Sequence, residues 1–328
     1  MDTGTHIVMG IALGGISTLD PVVANSAPTG TAVLIAAILG SQAPDIDTVL
    51  KLKNNATYLK HHRGITHSIP AVLLWPIAIT VAMMLFFPEA NWFHIWIWTF
   101  LAVFLHVFVD IFNAYGTQAL RPFSSKWVAL GWINTFDPFI FGIHIVGFIL
   151  WFLGAHPGYT FLAIYGIIVA YYVLRFISQR NIRRTIEKRF PEVTNVIIAP
   201  TLRYYQWRVA IMDHDHFYVG RAFKDELIIF DQFERLPFPE EKEHVLSAVQ
   251  DDPNVSAFLN FSPSYRWEME EEGDKIEIRF IDLRYRKDGH YPFVAIVHLD
   301  WDLNIISSFT GWVYSEEKLQ KKLEILPD

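Results

Sequence analysis

The feature that most constrains the fold of this chain is a set of long apolar runs in its first half. Four runs contain no Lys, Arg, Asp or Glu, at residues 69–87, 93–109, 138–153 and 159–174. A helix that crosses a bilayer needs about 17 to 25 such residues. The runs therefore predict four spanning helices, of which the last two, at 16 residues each, are short. Aromatic residues at their ends could anchor them at the membrane interface.

The charged residues are concentrated in the second half. Residues 1–178 carry seven Lys/Arg and seven Asp/Glu, whereas residues 179–328 carry 20 and 27, so the net charge of −7 belongs to the second part. We predict an α-helical integral membrane bundle at 1–178, a basic juxtamembrane linker at 179–194, and a soluble β-rich α+β domain at 195–328. The absence of a basic face argues against direct nucleic-acid binding.

The distribution of Lys and Arg predicts the topology. Residues 88–92 and 154–158, which link the paired runs, contain no Lys or Arg, whereas every basic residue before position 179 falls on the opposite side. By the positive-inside rule, the N-terminus and the β-rich domain are expected to be cytoplasmic and the protein to lie in the cytoplasmic membrane. The shorter apolar stretches 7–16 and 31–40 predict re-entrant or interfacial helices. The N-terminus lacks the features of a cleaved signal peptide, so we expect it to be retained.

Alternating apolar residues after position 195 predict strands. The predicted strands are 204–212, 217–223, 227–230, 275–284, 293–301 and 305–313, and residues 240–250 have the pattern of an amphipathic helix. Asp288-Gly289 is typical of a hairpin turn. The run Asp213-His214-Asp215-His216 could bind a metal, but it lies between two strands, which favours a solvated turn.

Histidine and aspartate residues collect at the predicted cytoplasmic face of the bundle. His106 and Asp110 are four residues apart, so both leave one face of a helix about 6 Å apart, and ionisable residues in an apolar helix are costly unless they have a function. The chain has no cysteine, so any metal must bind N and O ligands. The predicted ligands are His6, Asp45, Asp47, His62, His67, His106 and Asp110. His61 is an alternative to His62, Asp47 could instead cap a helix, the roles of Asn113 and Asp137 stay open, and His94, His144 and His156 are assigned to packing or interface positions.

Imidazole and carboxylate ligands suit one or two Zn²⁺ ions, with Mn²⁺ or Fe²⁺ as alternatives. A bound divalent ion lowers the pKa of a coordinated water towards about 7. Asp45 or Asp110 could bridge two ions, and Arg63 could neutralise a phosphate oxygen or simply be a positive-inside charge. The predicted catalytic residues are therefore Asp45, Arg63 and Asp110.

Four motifs carry a family resemblance: Gly4-Thr5-His6, Pro44-Asp45-Ile46-Asp47, the run from His62 to Ser68, and His106 with Asp110. In this order they resemble the YdjM-like family of inner-membrane metal-dependent hydrolases, also labelled LexA-binding, and the whole chain resembles its YfhP-type members. That family is in turn similar to zinc-dependent phospholipase C and single-strand nucleases. The resemblance implies a metal site at His6, Asp45, a loop histidine, His106 and Asp110. A second His-x-x-x-Asp/Glu motif is missing, which favours one or two ions over three.

These observations predict a membrane-bound phosphoesterase that acts on an amphiphilic or lipid phosphoester at the cytoplasmic face. The first alternative is a membrane-anchored regulatory or binding protein, with a structural or degenerate metal site and a protein partner for the β-rich domain. A closed tetrahedral site would favour it, because no position would be left for water. A transporter is disfavoured because the ionisable residues gather at one face and not at the midplane.

Overall fold

The chain folds into two compact units. The computed structural model describes residues 1–224, 226–238, 243–273, 275–315, 319 and 323. The first unit contains Met1–Asp47, His62–Ile182 and Ala199–Gln206, and the second contains Thr48–His61, Arg183–Ile198 and the chain from Trp207 onwards.

The first unit is helical. Its α-helices are α1 (Thr3–Ile16), α2 (Pro21–Ala24), α3 (Ala27–Gly40), α5 (Ile69–Phe86), α6 (Trp92–Asp110), α7 (Pro138–Phe152) and most of α8 (Pro157–Arg189). Short 3₁₀ helices are Ser17–Leu19, Ala43–Leu52 and Ile65–His67, the second of which continues into the second unit. Together with the two-sheet second unit, these helices confirm the predicted fold class.

Among the described residues, the three helices α5, α6 and α8 are long and apolar enough to cross a membrane. The predicted span at 138–153 forms only the 15-residue helix α7, which at 1.5 Å per residue is about 22 Å long and shorter than a bilayer core of about 30 Å. A fourth span is possible if α3 and the 3₁₀ helix Ala43–Leu52, bent by 44°, cross together. The helix α8 extends for 33 residues through most of the predicted basic linker, because its basic residues are also good helix formers.

Small residues bring α1, α3 and α6 close together. A Cβ atom added at Gly14 would lie 2.4 Å from Cδ1 of Leu34, and one at Gly40 would lie 3.1 Å from Cγ2 of Thr99. Such close approach is typical of helix packing in membranes, where there is little hydrophobic drive between helices. This packing places the start of α1, the end of α3 and the end of α6 beside one another.

The second unit contains two antiparallel four-stranded sheets. The first has the order β1 (Asn195–Pro200), β2 (Gln206–Met212), β3 (His216–Phe223) and β4 (Glu226–Glu234). The second has the order β5 (Tyr265–Glu272), β6 (Lys275–Asp282), β7 (Phe293–Leu299) and β8 (Ile305–Trp312). Two helices, α9 (Glu243–Gln250) and α10 (Pro253–Phe261), lie between the sheets in sequence.

Most local predictions for the second unit are confirmed. Asp288 and Gly289 both have positive φ and join residues Lys287 and His290, which pair in antiparallel fashion. Asp213 accepts hydrogen bonds from the backbone of Asp215 and His216 in the β2–β3 turn. The helix predicted at 240–250 is α9, and residues 240–242 lie outside the described part of the chain.

One helix of the second unit comes from the region between the predicted metal ligands. The helix α4 (Asn55–His61) packs on α10 and β8, and Nδ2 of Asn55 donates to the carbonyl of Thr310 at 3.2 Å. The chain thus passes into this unit after Asp47 and returns to the helical unit at His62.

Candidate metal centre

Four elements of the helical unit bring the predicted ligands together. They are α1 with His6, the 3₁₀ helix that contains Asp45 and Asp47, the loop from His62 to His67, and the last turn of α6 with His106 and Asp110. The end of α6 places His106 and Asp110 on one face, as their spacing predicts, and both side chains are completely buried.

The atoms of four side chains converge on one point. Nε2 of His67 lies 3.3 Å from Nε2 of His106. Oδ1 of Asp45 lies 3.5 and 3.6 Å from these two nitrogens, and Oδ2 of Asp110 lies 3.5 and 3.7 Å from them. A tetrahedral ion with ligands at ~2.0–2.1 Å has neighbouring ligand atoms ~3.3–3.4 Å apart. The four atoms could therefore hold an ion of the size of Zn²⁺.

The hydrogen bonds around the two imidazoles suit metal binding. Nδ1 of His106 donates to the carbonyl of Ser41 at 2.6 Å, which leaves the lone pair of Nε2 directed at the cluster. Burial lowers the pKa of His67 to about 3, against a weaker opposing effect of Asp45, so its ring is neutral at pH 7. Neutral imidazole is the form that ligates metals.

One oxygen atom of each carboxylate in the cluster has no hydrogen-bond donor within the described part of the chain. Oδ1 of Asp45, Oδ2 of Asp110 and Oδ1 of Asn113 are buried oxygens without a hydrogen-bond partner among the described residues. A buried polar atom without a partner costs about 1–3 kcal/mol, and more when it is charged. Two imidazole lone pairs and two carboxylate oxygens face one another here, and a cation between them would satisfy all four.

Two positively charged groups contact Asp110. Nε of Arg63 lies 3.3 Å from Oδ2 of Asp110, and its terminal nitrogens donate to the carbonyls of Met1 and Gly116. The α-amino group of Met1 contacts Asp110 and lies 3.0 Å from Nε2 of His6. Arg63, for which the sequence left open a phosphate-binding role and a positive-inside charge, is a buried partner of Asp110.

His6 lies beside the set of four. Its ring stacks on that of His106 with centroids 3.6 Å apart, and its Nε2 is 3.4 Å from Oδ1 of Asp110. Asp45, Asp47 and His62 form a second group that is close enough to hold an ion. Nδ1 of His62 lies 2.7 Å from Oδ1 of Asp47, whereas His61 ends α4 in the second unit.

Residues whose roles the sequence left open are also placed. Nδ2 of Asn113 donates to Oδ1 of Asp110 at 2.9 Å, so it supports the cluster. Asp137 caps α7 and accepts from the hydroxyl of Tyr171. His144 is buried, with Nδ1 bonded to the carbonyl of Ile140, as expected for a packing residue.

Sequence reasoning missed two groups that contact the Nδ1 atoms of His106 and His67. They are the carbonyl of Ser41 and the hydroxyl of Thr66. A backbone carbonyl gives no signal in a sequence. Thr66 does stand directly before a predicted ligand, and its hydroxyl lies 3.1 Å from Nδ1 of His67.

Comparisons with known proteins give family matches along almost the whole chain. Residues 1–182 match the family of the YdjM inner membrane protein, residues 191–233 the YfhP middle domain, and residues 244–323 the YfhP C-terminal alpha/beta plait domain. The chain is 59% identical over 326 residues to the uncharacterized protein YfhP of Bacillus subtilis strain 168, and the match covers 99% of each. No solved structure matches. The chain therefore belongs to the YdjM inner membrane protein family and carries the middle and C-terminal domains of YfhP.

Proposed function

We propose that the protein is a metal-dependent hydrolase of the membrane that cleaves a phosphoester in an amphiphilic or lipid substrate. The observation that carries the proposal is the convergence of two imidazole nitrogens and two carboxylate oxygens at 3.3–3.7 Å. A divalent ion, Zn²⁺ by preference and Mn²⁺ or Fe²⁺ as alternatives, would supply a Lewis acid and lower the pKa of a coordinated water.

The four donors differ in their exposure, which separates their roles. The side chains of His67, His106 and Asp110 are fully buried, whereas 13% of the Asp45 side chain is exposed. Two histidines and one carboxylate form a ligand set typical of catalytic zinc. We assign these three residues to holding the ion and Asp45 to the outward side, where it would accept a proton from an attacking water. Arg63 and Asn113 would hold Asp110 in place.

Exposed apolar side chains near the cluster favour a lipid substrate. Ile46, Ile65, Leu120 and Phe123 are 57%, 65%, 49% and 86% exposed. Two of the segments that carry them are joined by a backbone hydrogen bond of 2.9 Å from the N–H of Gln118 to the carbonyl of Arg63. These loops adjoin the ends of α5 and α6. We propose that they lie at the level where acyl chains meet headgroups, with Arg121 and Lys126 placed to attract anionic lipids.

Phe123 is expected to enter the lipid layer. A nitroxide label on Phe123→Cys in nanodiscs should be relaxed more by oxygen than by a water-soluble nickel complex, because oxygen concentrates in lipid. Lys126→Cys, an exposed polar position of the same loop, is the control and should show the reverse preference. Greater nickel accessibility at position 123 than at 126 would show that this loop faces water.

We also propose that α7 crosses the membrane as a short fourth span paired with α8, so that the N-terminus and the β-rich domain are both cytoplasmic. Glu89 and His156 are exposed positions in or beside the links without Lys or Arg, and Lys53 and Asp251 are exposed on the other side of the proposed topology. In intact cells, an impermeant thiol reagent should label Glu89→Cys and His156→Cys but not Lys53→Cys or Asp251→Cys. The opposite labelling pattern would reverse the orientation. The chain has no cysteine of its own, so each label reports one position.

One observation favours the regulatory alternative. All four corners of a tetrahedral ion could be filled by protein atoms, which would leave no place for water. Substitution with Co²⁺ distinguishes the two functions. If the site is open, the Co²⁺ absorption spectrum should change with pH and with added phosphate. If the site is closed and structural, the spectrum should be that of four-coordinate Co²⁺ and should respond to neither.

The hydrolase proposal itself is tested by assay of purified, metal-loaded protein in nanodiscs. Phospholipids, isoprenoid phosphates and a generic phosphodiester are the substrates to compare. Cleavage of an amphiphilic phosphoester supports the proposal. If none is cleaved, a binding role for the C-terminal domain becomes the better account, particularly if deletion of residues 195–328 affects cells as loss of the whole protein does.

A further inference from the structure

We propose that Asp47 and Thr66 are not metal ligands but positioning residues that fix the orientation and tautomer of His67. The inference rests on the proposed metal centre and gives a different role to Asp47, which the sequence predicts as a ligand. It is carried by a chain of hydrogen bonds from Asp47 through Thr66 to His67.

The carboxylate of Asp47 already has three donors. Oδ1 faces Nδ1 of His62 at 2.7 Å. Oδ2 accepts from the backbone N–H of Arg63 at 2.9 Å and from the hydroxyl of Thr66 at 2.7 Å. Asp47 thus ties down the loop that leads to His67 and does not cap the 3₁₀ helix in which it lies. Coordination of a metal by Asp47 would compete with these bonds.

The direction of these bonds fixes the proton on His67. An ionised carboxylate can only accept, so the hydroxyl of Thr66 must give its hydrogen to Asp47. The lone pairs of Thr66 then face Nδ1 of His67 at 3.1 Å, and this nitrogen must be the donor. Nε2 is left with its lone pair, and it is the atom that lies 3.3 Å from Nε2 of His106 and 3.5 Å from Asp45 and Asp110.

The two histidines would then be held by the same kind of hydrogen bond, donated from Nδ1. His106 donates from Nδ1 to the carbonyl of Ser41, and His67 donates from Nδ1 to Thr66. A histidine that ligates a metal usually donates its other N–H to an outer acceptor, and loss of that acceptor typically costs 10- to 100-fold in metal affinity. The positive φ of 59° at Arg63, which is uncommon for a side chain of this size, is supported by the bond from its N–H to Asp47.

Metal affinity separates a positioning residue from a ligand. Thr66→Val keeps the shape of the side chain and removes the hydroxyl, and Thr66→Ser restores it. We expect Thr66→Val to bind one Zn²⁺ per chain about 10- to 100-fold more weakly than wild type, and Thr66→Ser to bind close to wild type. Asp47→Ala should weaken binding to a similar degree, and the double variant should be little worse than either, because both changes break one chain of bonds.

Two results would overturn the inference. If Asp47→Ala lost stoichiometric Zn²⁺ while Thr66→Val bound Zn²⁺ as tightly as wild type, Asp47 would be a metal ligand. Equal weakening by Thr66→Val and Thr66→Ser would show that the hydroxyl is not the active group. The affinities are to be measured by chelator competition on full-length protein in detergent.

A measurement without metal separates this inference from the proposed function. In metal-free protein labelled with ¹⁵N-histidine, the ring signals of His67 are those that disappear in the His67→Gln variant. These signals should show protonation at Nδ1. Thr66→Val should shift them towards the Nε2-protonated form. A wild-type protein that binds no metal but shows this change would refute the metal centre and leave the positioning of His67 intact; an unchanged tautomer would refute the positioning alone.

Discussion

His106→Ala and Asp110→Ala are each expected to remove stoichiometric metal from the purified protein. Each variant deletes one of the four converging atoms, and Asp110 is buried with Arg63 against it. Loss of a direct ligand should lower affinity by more than the ~10- to 100-fold that is typical for outer partners. Elemental analysis after gel filtration measures the content, and chelator competition measures the affinity.

The control for this experiment is His156→Ala, which changes an exposed histidine near the start of α8. It should keep the metal content of wild type. His67→Ala is expected to follow His106→Ala, whereas Asp45→Ala, which removes the proposed proton acceptor, should keep metal and lose hydrolysis. His6→Ala removes the ring that stacks on His106 and should weaken metal binding. If His106→Ala and Asp110→Ala both kept full content and affinity, the cluster at the end of α6 would not be the metal site.

Hydrolysis is expected to depend completely on metal and to increase with pH. Chelation should reduce cleavage of the amphiphilic phosphoester to background, and Zn²⁺ or Mn²⁺ should restore it. The rate should rise through an apparent pKa of ~7, because a water coordinated by a divalent ion deprotonates in that range. The pH profile and the chelation series are measured on the same nanodisc preparation.

The matching control is the metal-depleted His106→Ala variant, which should stay inactive after metal is added. Activity that survives chelation, or that is flat from pH 5 to 9, would contradict the proposed use of the ion. If metal restores the activity of the wild-type protein but not that of His106→Ala, the reaction takes place at this cluster.

The helices and most of the ligand set could be predicted from the sequence because each depends on local patterns. The apolar runs predicted α5 and α6 to within one or two residues, since such runs have few other uses. The four-residue spacing of His106 and Asp110 gave their common face directly. The position of Asp45 and His67 opposite these two residues depends on how α1, α3 and α6 pack. A local sequence pattern does not report this packing, so only the resemblance to a known family indicated that Asp45 and His67 belong to the same site.

Other features depended on contacts between distant residues. The helix α4 packs in the second unit although the predicted metal ligands Asp47 and His62 lie on either side of it in the sequence. The strand β5 escaped prediction because its sequence, YRWEMEEE, is rich in glutamate, which is poor in strands. It forms because it pairs along its whole length with β6.

His67, His106, Asp45 and Asp110 are proposed to surround one metal ion. X-ray absorption of the Zn²⁺-loaded protein at the zinc edge tests it most directly, supported by anomalous scattering from crystals. We expect two imidazole and one or two carboxylate ligands at about 2.0–2.2 Å. The zinc that remains in His67→Ala should show one imidazole fewer. A zinc spectrum with only oxygen ligands, or one unchanged in His67→Ala, would contradict it.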